Sequence, residues 1–258
     1  MRLTVLGCWA PFPRAGGACS GYLLQDAGAN ILLDVGHGTF GRLRNFIHYA
    51  DIRAAVITHL HPDHCADLPC LKHATRSALR EGLRAGRVKL FLPGEPRPAF
   101  TELTEGAEAF FDVVPIENLP EEEVSSGVRV RCAQVGPLKF FFLPVRHSLP
   151  AYAVGVEGSG YLVYSGDAAP AGELASFAER AGIFLCEASG LDKDEDVFRD
   201  VHMTARQAGE LASRARVKEL IITHFFPEYD TGELHAQASS GYGREAVLAR
   251  EGDTYFLY

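Results

Sequence analysis

Four apolar segments of the sequence each run directly into a histidine or an aspartate, and this pattern constrains the fold more than any other feature. Each segment has the length and the content of Val, Ile, Leu, Phe or Tyr that are typical of a β-strand. The segments are residues 54–58 before His59, 140–146 before His147, 161–166 before Asp167 and 220–223 before His224. Strands of one sandwich can end at one edge, where rigid backbone holds side chains accurately. The pattern therefore predicts that these four side chains meet in space.

The first of these strands continues into the motif His59-Leu60-His61-Pro62-Asp63-His64. Imidazole and carboxylate groups together suit zinc and related first-row metals. In a loop that leaves a strand, His59 and His61 can point to one side while Asp63 and His64 turn to the other. The motif therefore predicts two neighbouring ions rather than one. A structural zinc site would more often use cysteines, and none lies at ligand spacing here.

Short strands alternate with helical stretches along the 258 residues, and no linker, low-complexity tract or repeat interrupts them. We therefore predict a single domain over residues 1–258. Many strands with helices at intervals, without a strict strand–helix rhythm, favour two packed sheets flanked by helices. The predicted strands are Leu3–Gly7, Gly21–Gln25, Ile31–Asp34, Ala54–Thr58, Val88–Leu92, Val128–Cys132, Lys139–Val145, Ala151–Val156, Tyr161–Tyr164, Ile183–Cys186, Glu219–Thr223 and Thr254–Leu257. The predicted helices are Phe40–Ala50, Asp67–Arg84, Glu173–Ala181, Ala205–Ala215, with Thr204 as its N-cap, and Arg244–Arg250.

The order of the ligand-type residues resembles the metallo-β-lactamase superfamily. Seven of them follow the order of that superfamily: His59, His61, Asp63, His64, His147, Asp167 and His224. Asp34 matches the buried aspartate that the superfamily carries near its start, and we expect it to pin the metal loop rather than to bind metal. The resemblance covers essentially the whole chain. It implies an α/β fold, an αβ/βα four-layer sandwich, with the metals at one edge.

Within that superfamily the chain is most similar to the ribonuclease Z-like phosphodiesterase branch. The similarity is carried by the opening segments Val5–Cys8 and Ser20–Leu24, by His147–Tyr152, and by His202–Thr204, which matches the H-x-T motif of the branch. This similarity implies two divalent metal ions. Zn²⁺ is the favoured ion, and Mn²⁺ is the alternative. The ligand sets it implies are His59, His61 and His147 for one ion, Asp63, His64 and His224 for the other, and Asp167 as the bridge.

The resemblance also implies a proton donor. His202 would protonate the leaving oxygen. Glu187, which follows the strand Ile183–Cys186, would orient His202. Asp63 is predicted to be a catalytic residue as well as a metal ligand. A histidine suits general acid catalysis because its ordinary pKa lies near neutrality. The alternative is that His202 is a surface histidine before a helix. His37, His48, His73 and His235 have no motif support and are predicted to have no role in the site.

Two departures from the branch argue against tRNA as the substrate. Asp167 follows His147 by only twenty positions, where the typical tRNA-processing enzyme has a long RNA-gripping arm. The segment Phe225–Tyr229 lacks the Ser and Arg that usually follow the last ligand histidine, and its Glu228 would repel a phosphate that it faced. Neither departure touches the metal ligands.

Charge and composition agree with a small-molecule substrate. The formal net charge is −8, whereas an extended nucleic acid prefers a basic face. Only seven residues precede Cys8, too few for a signal peptide, and no apolar run approaches the roughly 20 residues of a membrane-spanning helix. We expect a soluble, cytoplasmic protein.

The six cysteines are expected to be thiols, with Cys65 and Cys70 in packing roles. The glutamates 121–123 are expected to form a solvated loop.

These observations predict a dinuclear metal-dependent hydrolase. The favoured reaction is hydrolysis of a small, cyclic or nucleotide-like phosphodiester by a hydroxide shared between the metals. The alternatives are a lactonase or thioesterase on the same metals and ribonuclease Z-like RNA processing. A flavodiiron redox protein is disfavoured because His61 is present and no room remains for a flavin domain. A non-catalytic scaffold is disfavoured because all seven ligand-type residues remain. A homodimer is expected from the resemblance.

Overall fold

The computed structural model describes residues 1–124 and 127–257. Its strands, in chain order, are β1 Arg2–Gly7, β2 Gly21–Asp26, β3 Ala29–Val35, β4 Ile52–Val56, β5 Val88–Leu92, β6 Phe111–Pro115, β7 Glu121–Glu123, β8 Arg129–Val135, β9 Leu138–Val145, β10 Ala151–Glu157, β11 Tyr161–Tyr164, β12 Ile183–Glu187, β13 Glu219–Thr223, β14 Val247–Leu248 and β15 Thr254–Phe256. Its α-helices are α1 Thr39–Leu43, α2 Pro62–Cys65, α3 Leu68–Arg80, α4 Arg97–Thr104, α5 Gly172–Phe177, α6 Glu195–Phe198, α7 Ala205–Ala215 and α8 Thr231–Tyr242.

The strands form two mixed sheets. One has seven strands in the order β15-β1-β2-β3-β4-β5-β6, and the other has eight in the order β14-β13-β12-β11-β10-β9-β8-β7. In the second sheet β11, β12 and β13 are parallel neighbours, and β9 runs in the same direction because β10 is antiparallel to both β9 and β11. The carboxyl ends of β9, β11, β12 and β13 therefore lie at one edge.

Alternating side chains of the inner strands divide the core into layers. On β3, Ile31 and Leu33 pack with the second sheet, whereas Leu32 packs with helices α1 and α3. Successive side chains of a strand point to opposite faces, so a strand buried on both faces is apolar throughout. On β4, Ala54 likewise packs with the second sheet and Ala55 packs with the helices. The other helical layer, α5, α7 and α8, covers the outer face of the second sheet. This arrangement is the predicted αβ/βα four-layer sandwich.

Two of the predicted helices were wrong in extent or place. The helix predicted over Phe40–Ala50 ends at Leu43, because Arg44, Asn45 and Phe46 are exposed and supply no apolar face. The helix predicted over Arg244–Arg250 is absent, and this segment contains β14, which pairs in parallel with β13.

The helix of this region lies earlier, over Thr231–Tyr242. The Asp230 side chain accepts a hydrogen bond from Gly232 N at 2.7 Å, and Gly243 ends the helix with φ 72°. An aspartate at the N-cap and a left-handed glycine after the last turn are the ordinary boundary signals of a helix. The N-cap predicted at Thr204 is confirmed, since its hydroxyl accepts from Gln207 N at 3.2 Å.

The glutamates 121–123 form an edge strand rather than the predicted loop. Glu122 lies across from Val130 on β8, and its carboxylate accepts a hydrogen bond from Lys139 Nζ at 2.6 Å. On the adjacent strand β8, Arg131 lies across from Glu121 with 3.2 Å between its Nη2 and the carboxylate, and opposite charges on neighbouring strands stabilise such an edge. Sequence reasoning also missed α4 and β6, whose apolar residues are few and, apart from the buried Phe111, not fully buried.

The cysteines are free thiols, as predicted. Cys65 is buried in the core, but Cys70 is exposed on α3, so the packing role predicted for Cys70 was wrong. No helix within residues 1–124 and 127–257 is long and apolar enough to cross a membrane.

Candidate metal centre

The four strand ends singled out in the sequence meet at one edge of the sandwich. His59 follows β4, His147 follows β9, Asp167 follows β11 and His224 follows β13. The two sheets are joined here because Tyr152 N donates to Thr58 O at 3.0 Å. The predicted convergence is therefore confirmed in space.

Glycines allow the close backbone approach that this edge needs. A Cβ at Gly36 would lie 1.9 Å from Asp63 O, and one at Gly166 would lie 3.0 Å from Tyr152 O. Gly166 also has φ 56°, a conformation that other residues adopt at a cost. Both positions thus require glycine for the loops before Asp167 and around Asp63 to pack together.

His59, His61, His147 and Asp167 form the first group of converging ligand-type atoms, all within 4.8 Å of one another. His61 Nδ1 lies 2.9 Å from His59 Nε2 and 3.1 Å from His147 Nε2. The other ring nitrogen of His147 donates to Val201 O at 2.7 Å, which leaves Nε2 with its lone pair toward the group. Fixing the tautomer of a ligand in this way is typical of metal-binding histidines.

Asp63, His64 and His224 form the second group, also within 4.8 Å. The Nε2 atoms of His64 and His224 are 3.1 Å apart, and Asp63 Oδ2 lies 3.4 Å from His224 Nε2. The far nitrogen of each imidazole has a separate partner. His64 Nδ1 lies 2.7 Å from Asp34 Oδ2, and His224 Nδ1 lies 2.8 Å from Ser189 Oγ.

Asp167 stands between the two groups with one oxygen toward each. Its Oδ2 lies 3.5 Å from His59 Nε2 and 3.8 Å from His147 Nε2, and its Oδ1 lies 3.0 Å from His224 Nε2 and 3.2 Å from His64 Nε2. Oδ1 is buried and makes no hydrogen bond within the described part of the chain. A buried polar atom without a partner is costly, and a cation between Oδ1 and the two imidazoles would satisfy it.

The electrostatics of the two groups differ, and both suit a bound cation. Burial lowers the pKa of His59 well below its ordinary value, and burial also lowers the pKa of His61 and of His147. These imidazoles are therefore neutral at pH 7, as metal ligation requires. In the second group burial acts to lower the pKa of His224, but the Asp167 carboxylate outweighs it and raises that pKa to about 10. The carboxylates there attract positive charge, which a divalent ion supplies in place of a proton.

Asp34 lies beneath the metal loop and does not face the ligand-type groups. It is fully buried, with φ 56°, and accepts hydrogen bonds from Thr58 N at 2.7 Å and from the Tyr164 hydroxyl at 2.8 Å, besides its contact with His64. This is the structural position that the sequence analysis predicted for it.

His202 and Glu187 are neighbours beside the two groups. His202 Nδ1 lies 3.1 Å from both carboxylate oxygens of Glu187, so Nε2 is the ring nitrogen left for other partners. Burial acts to lower the pKa of His202, but the Glu187 carboxylate outweighs it and the pKa is raised. The carboxylate is itself held by Ala168 N at 2.7 Å and Met203 N at 3.3 Å. A protonated, oriented imidazole at this position can act as a general acid.

A cavity of about 570 Å³ opens over the cluster. Its polar half is formed by His61, Asp63, Asp167, Ser189, His202 and His224. Its other half is formed by Ala10, Pro11, Pro62, Phe198 and Phe226. Glu228, which would have repelled a phosphate, is exposed and does not line it.

Sequence reasoning did not single out Ser189, Phe198 or Phe226 among these lining residues. Ser189 follows β12 by two positions, so the rule that placed the ligands at strand ends would also have drawn attention to it. The two phenylalanines lie on loops and a short helix whose packing has no local sequence signal.

A two-sheet αβ/βα sandwich with a histidine–aspartate cluster at the ends of its strands is the architecture of a metallo-hydrolase of the metallo-β-lactamase fold. The chain belongs to the β-lactamase superfamily: residues 29–225 match the family described as "Beta-lactamase superfamily domain". It is a metallo-hydrolase with ribonuclease Z-like relatives.

Among curated proteins, the chain is 28% identical over 257 residues to "Probable metallo-hydrolase YhfI" of Bacillus subtilis, covering 98% of each chain. It is also 28% identical over 306 residues to "Ribonuclease Z" of Thermobifida fusca, covering 97% of this chain and 92% of the other. The crystal structure of Bacillus subtilis YhfI superposes with a TM-score of 0.87 at 25% identity over 98% of each chain. The human short-form tRNase Z shares the fold, with a TM-score of 0.75 at 20% identity over 100% of each chain.

Proposed function

We propose that the chain is a dinuclear phosphodiesterase that acts on a small, cyclic or nucleotide-like diester. The observation that carries this proposal is the His202–Glu187 pair, at 3.1 Å, of which His202 lines the same cavity as the ligand-type residues and Glu187 is buried behind it. An alkoxide is a poor leaving group, so hydrolysis of its diester gains from a positioned acid, whereas activated esters gain less.

The proposed ligand sets are those implied by the sequence, and the two groups of converging atoms support them. One ion would be held by His59, His61 and His147, the other by Asp63, His64 and His224, with Asp167 shared. Two divalent ions lower the pKa of water and neutralise charge on the phosphoryl oxygens. We propose Zn²⁺, because five imidazoles suit it, with Mn²⁺ as the alternative.

The geometry supports the following roles for the protein's own residues. The attacking water gives up one proton to solvent and its oxygen bonds to phosphorus. The bond from phosphorus to the leaving oxygen breaks, and His202 passes a proton to the leaving oxygen and is reprotonated from solvent. Glu187 accepts a hydrogen bond from Nδ1 of His202, so the proton is delivered from Nε2, the other ring nitrogen. Asp63 and Asp167 supply negative charge that would hold the ions, and they keep the His64 and His224 rings in place.

RNA processing is the weaker alternative, although the Thermobifida fusca relative is named ribonuclease Z. Between His147 and Asp167 the chain forms only the antiparallel pair β10 and β11, joined by a turn at residues 158–160. The net charge of −8 likewise disfavours a long polyanion. A lactonase or thioesterase would use the same metals but would need His202 less. The single domain, the cytoplasmic location and the homodimer remain predictions.

A substrate panel tests the proposal. Metal-loaded protein is assayed with bis-p-nitrophenyl phosphate, cyclic nucleotides, lactones and thioesters. We expect the highest kcat/KM on a phosphodiester, and loss of that activity in His59→Ala. A higher kcat/KM on a lactone or thioester would overturn it in favour of the carboxyl ester alternative.

A further inference from the structure

The apolar half of the cavity has no role in the reaction proposed above. It lies against the metal ligands, yet its walls are two phenylalanine rings, two prolines and an alanine. We propose that this half is a subsite for a flat, uncharged ring of the substrate, namely a nucleobase, with Phe198 and Phe226 as its walls. The inference rests on the proposed phosphodiesterase function and specifies its substrate class.

Phe198 places the subsite next to the proposed proton donor. Its ring centroid lies 5.4 Å from that of His202, at an interplanar angle of 70°. A substituent that contacts Phe198 therefore lies on the side of the substrate where His202 delivers its proton. The ring packs closely on Gly190, since a Cβ at that position would lie 2.5 Å from Phe198 Cδ2.

Phe226 is held rigidly at the other side. Its ring makes edge contacts with Phe12 at 5.8 Å and with Tyr229 at 5.1 Å between centroids. The loop that carries it is tied down by Arg14, which donates to Pro227 O at 2.8 Å and to Tyr229 O at 2.9 Å. Walls that are fixed before binding lose little conformational entropy when a ligand arrives.

The charge and size of the cavity favour a base over a second phosphate. No lysine or arginine lines it among the residues that the structure describes, so an additional phosphate would have no cationic partner. A base needs none, because every base offers a π-face that stacks on an aromatic side chain. The volume of about 570 Å³ lies within the range of a site for one small ligand, which agrees with a single nucleotide rather than a strand.

The test compares a cyclic adenosine monophosphate with the same cyclic diester lacking its base. We expect Phe198→Ala and Phe226→Ala each to raise KM for the base-carrying substrate about 5- to 150-fold, the range that corresponds to loss of one stacking contact. KM for the base-free diester should not change. Phe198→Tyr, which keeps the ring, should restore the wild-type KM ratio, and Val197→Ala, on an exposed neighbouring side chain, should leave it unchanged. Thermal melting and metal content confirm that each variant is folded and loaded.

Direct binding separates this inference from the proposed function. Calorimetry on zinc-loaded protein compares adenosine monophosphate with ribose phosphate. Tighter binding of the nucleotide that is lost in both alanine variants supports the subsite even if no diester is hydrolysed. Equal affinities for the two ligands, or KM ratios that both alanine variants leave unchanged, would overturn the subsite while leaving the phosphodiesterase proposal standing.

Discussion

Asp34 Oδ2 lies 2.7 Å from His64 Nδ1, and both side chains are fully buried. The contact fixes the imidazole so that Nε2 points at His224 and Asp167. Asp34 is thus a partner behind a ligand-type residue, and such partners orient the ring and raise its basicity. It also connects two strands, since the Tyr164 hydroxyl donates to the same oxygen at 2.8 Å.

Asp34→Ala is therefore expected to affect stability first. It leaves His64, Thr58 and Tyr164 without their buried partner, so the free energy of unfolding of the metal-free protein should fall by about 3–5 kcal/mol. Urea denaturation measures this. Asp112→Asn, which removes a charge from a largely exposed ion pair with Arg87, is the control and should change stability by about 0–1 kcal/mol. A loss as small as that of the control would contradict the role of Asp34.

Metal stoichiometry follows from the number of ligand-type side chains. Seven such groups exceed the four that one tetrahedral zinc needs, and their division into two groups predicts about two ions per chain. Elemental analysis of metal-saturated protein measures the ratio. One ion per chain at saturation would rule out the dinuclear proposal.

Asp167→Ala should loosen both ions together, because each carboxylate oxygen faces one group. Activity should be lost, and metal titration should show weaker binding at both sites. His147→Ala provides the comparison, since it belongs to one group only and should weaken one site. Near-normal turnover in Asp167→Ala would show that the bridging assignment is wrong.

The strand ends and the histidine–aspartate cluster were predictable from the sequence because short-range rules determine them. The inner part of β4, Ala54–Val56, is apolar and buried, and the first ligand-type residue after it, His59, marks the sheet edge. The misplaced C-terminal helix has a different cause. Helix α8 has apolar residues that do not follow the helical repeat, and only its cap residues Asp230 and Gly243 mark it. Where the apolar pattern and the cap residues disagree, the pattern alone misplaces the helix.

The walls of the cavity were not predictable because they depend on how distant loops pack. Phe226 takes its position from Phe12 and from Arg14, more than 200 positions earlier in the chain. Ser189 was also missed, although its hydroxyl joins the second metal group to the acid pair. It donates to Glu187 and accepts from His224 Nδ1 at 2.8 Å.

Ser189→Ala should therefore weaken binding of one ion more than the other. Without the hydroxyl, the His224 ring loses the partner that fixes its tautomer, and loss of such a partner typically costs 10- to 100-fold in metal affinity. Calorimetric titration of the metal-free protein should show two classes of site in the variant. Ser189→Thr keeps the hydroxyl and should behave as the wild type. Unchanged affinity at both sites in Ser189→Ala would remove the residue from this role.

His202→Ala tests the acid directly through the leaving group. A basic alkoxide departs poorly without a proton, whereas p-nitrophenolate departs readily as the anion. Positioned acid catalysis contributes about 10²–10⁴-fold, so the variant should lose a factor in that range on a diester with an alkyl alcohol leaving group. On a p-nitrophenyl diester the loss should be much smaller. Kinetics on both substrates, with metal content measured in each preparation, provide the comparison.

Glu187→Gln should show the same dependence on the leaving group with a smaller loss, because it orients the imidazole and does not itself reach the substrate. His235→Ala is the matched control, since that imidazole lies away from the cluster and donates to Ala246 O at 2.8 Å; it should leave both rates unchanged. Equal losses on the two substrates in His202→Ala, with both metals retained, would show that His202 does not deliver the proton. The preference for a phosphodiester over a lactone would then lose its structural support, because the ligand-type residues alone would serve either reaction.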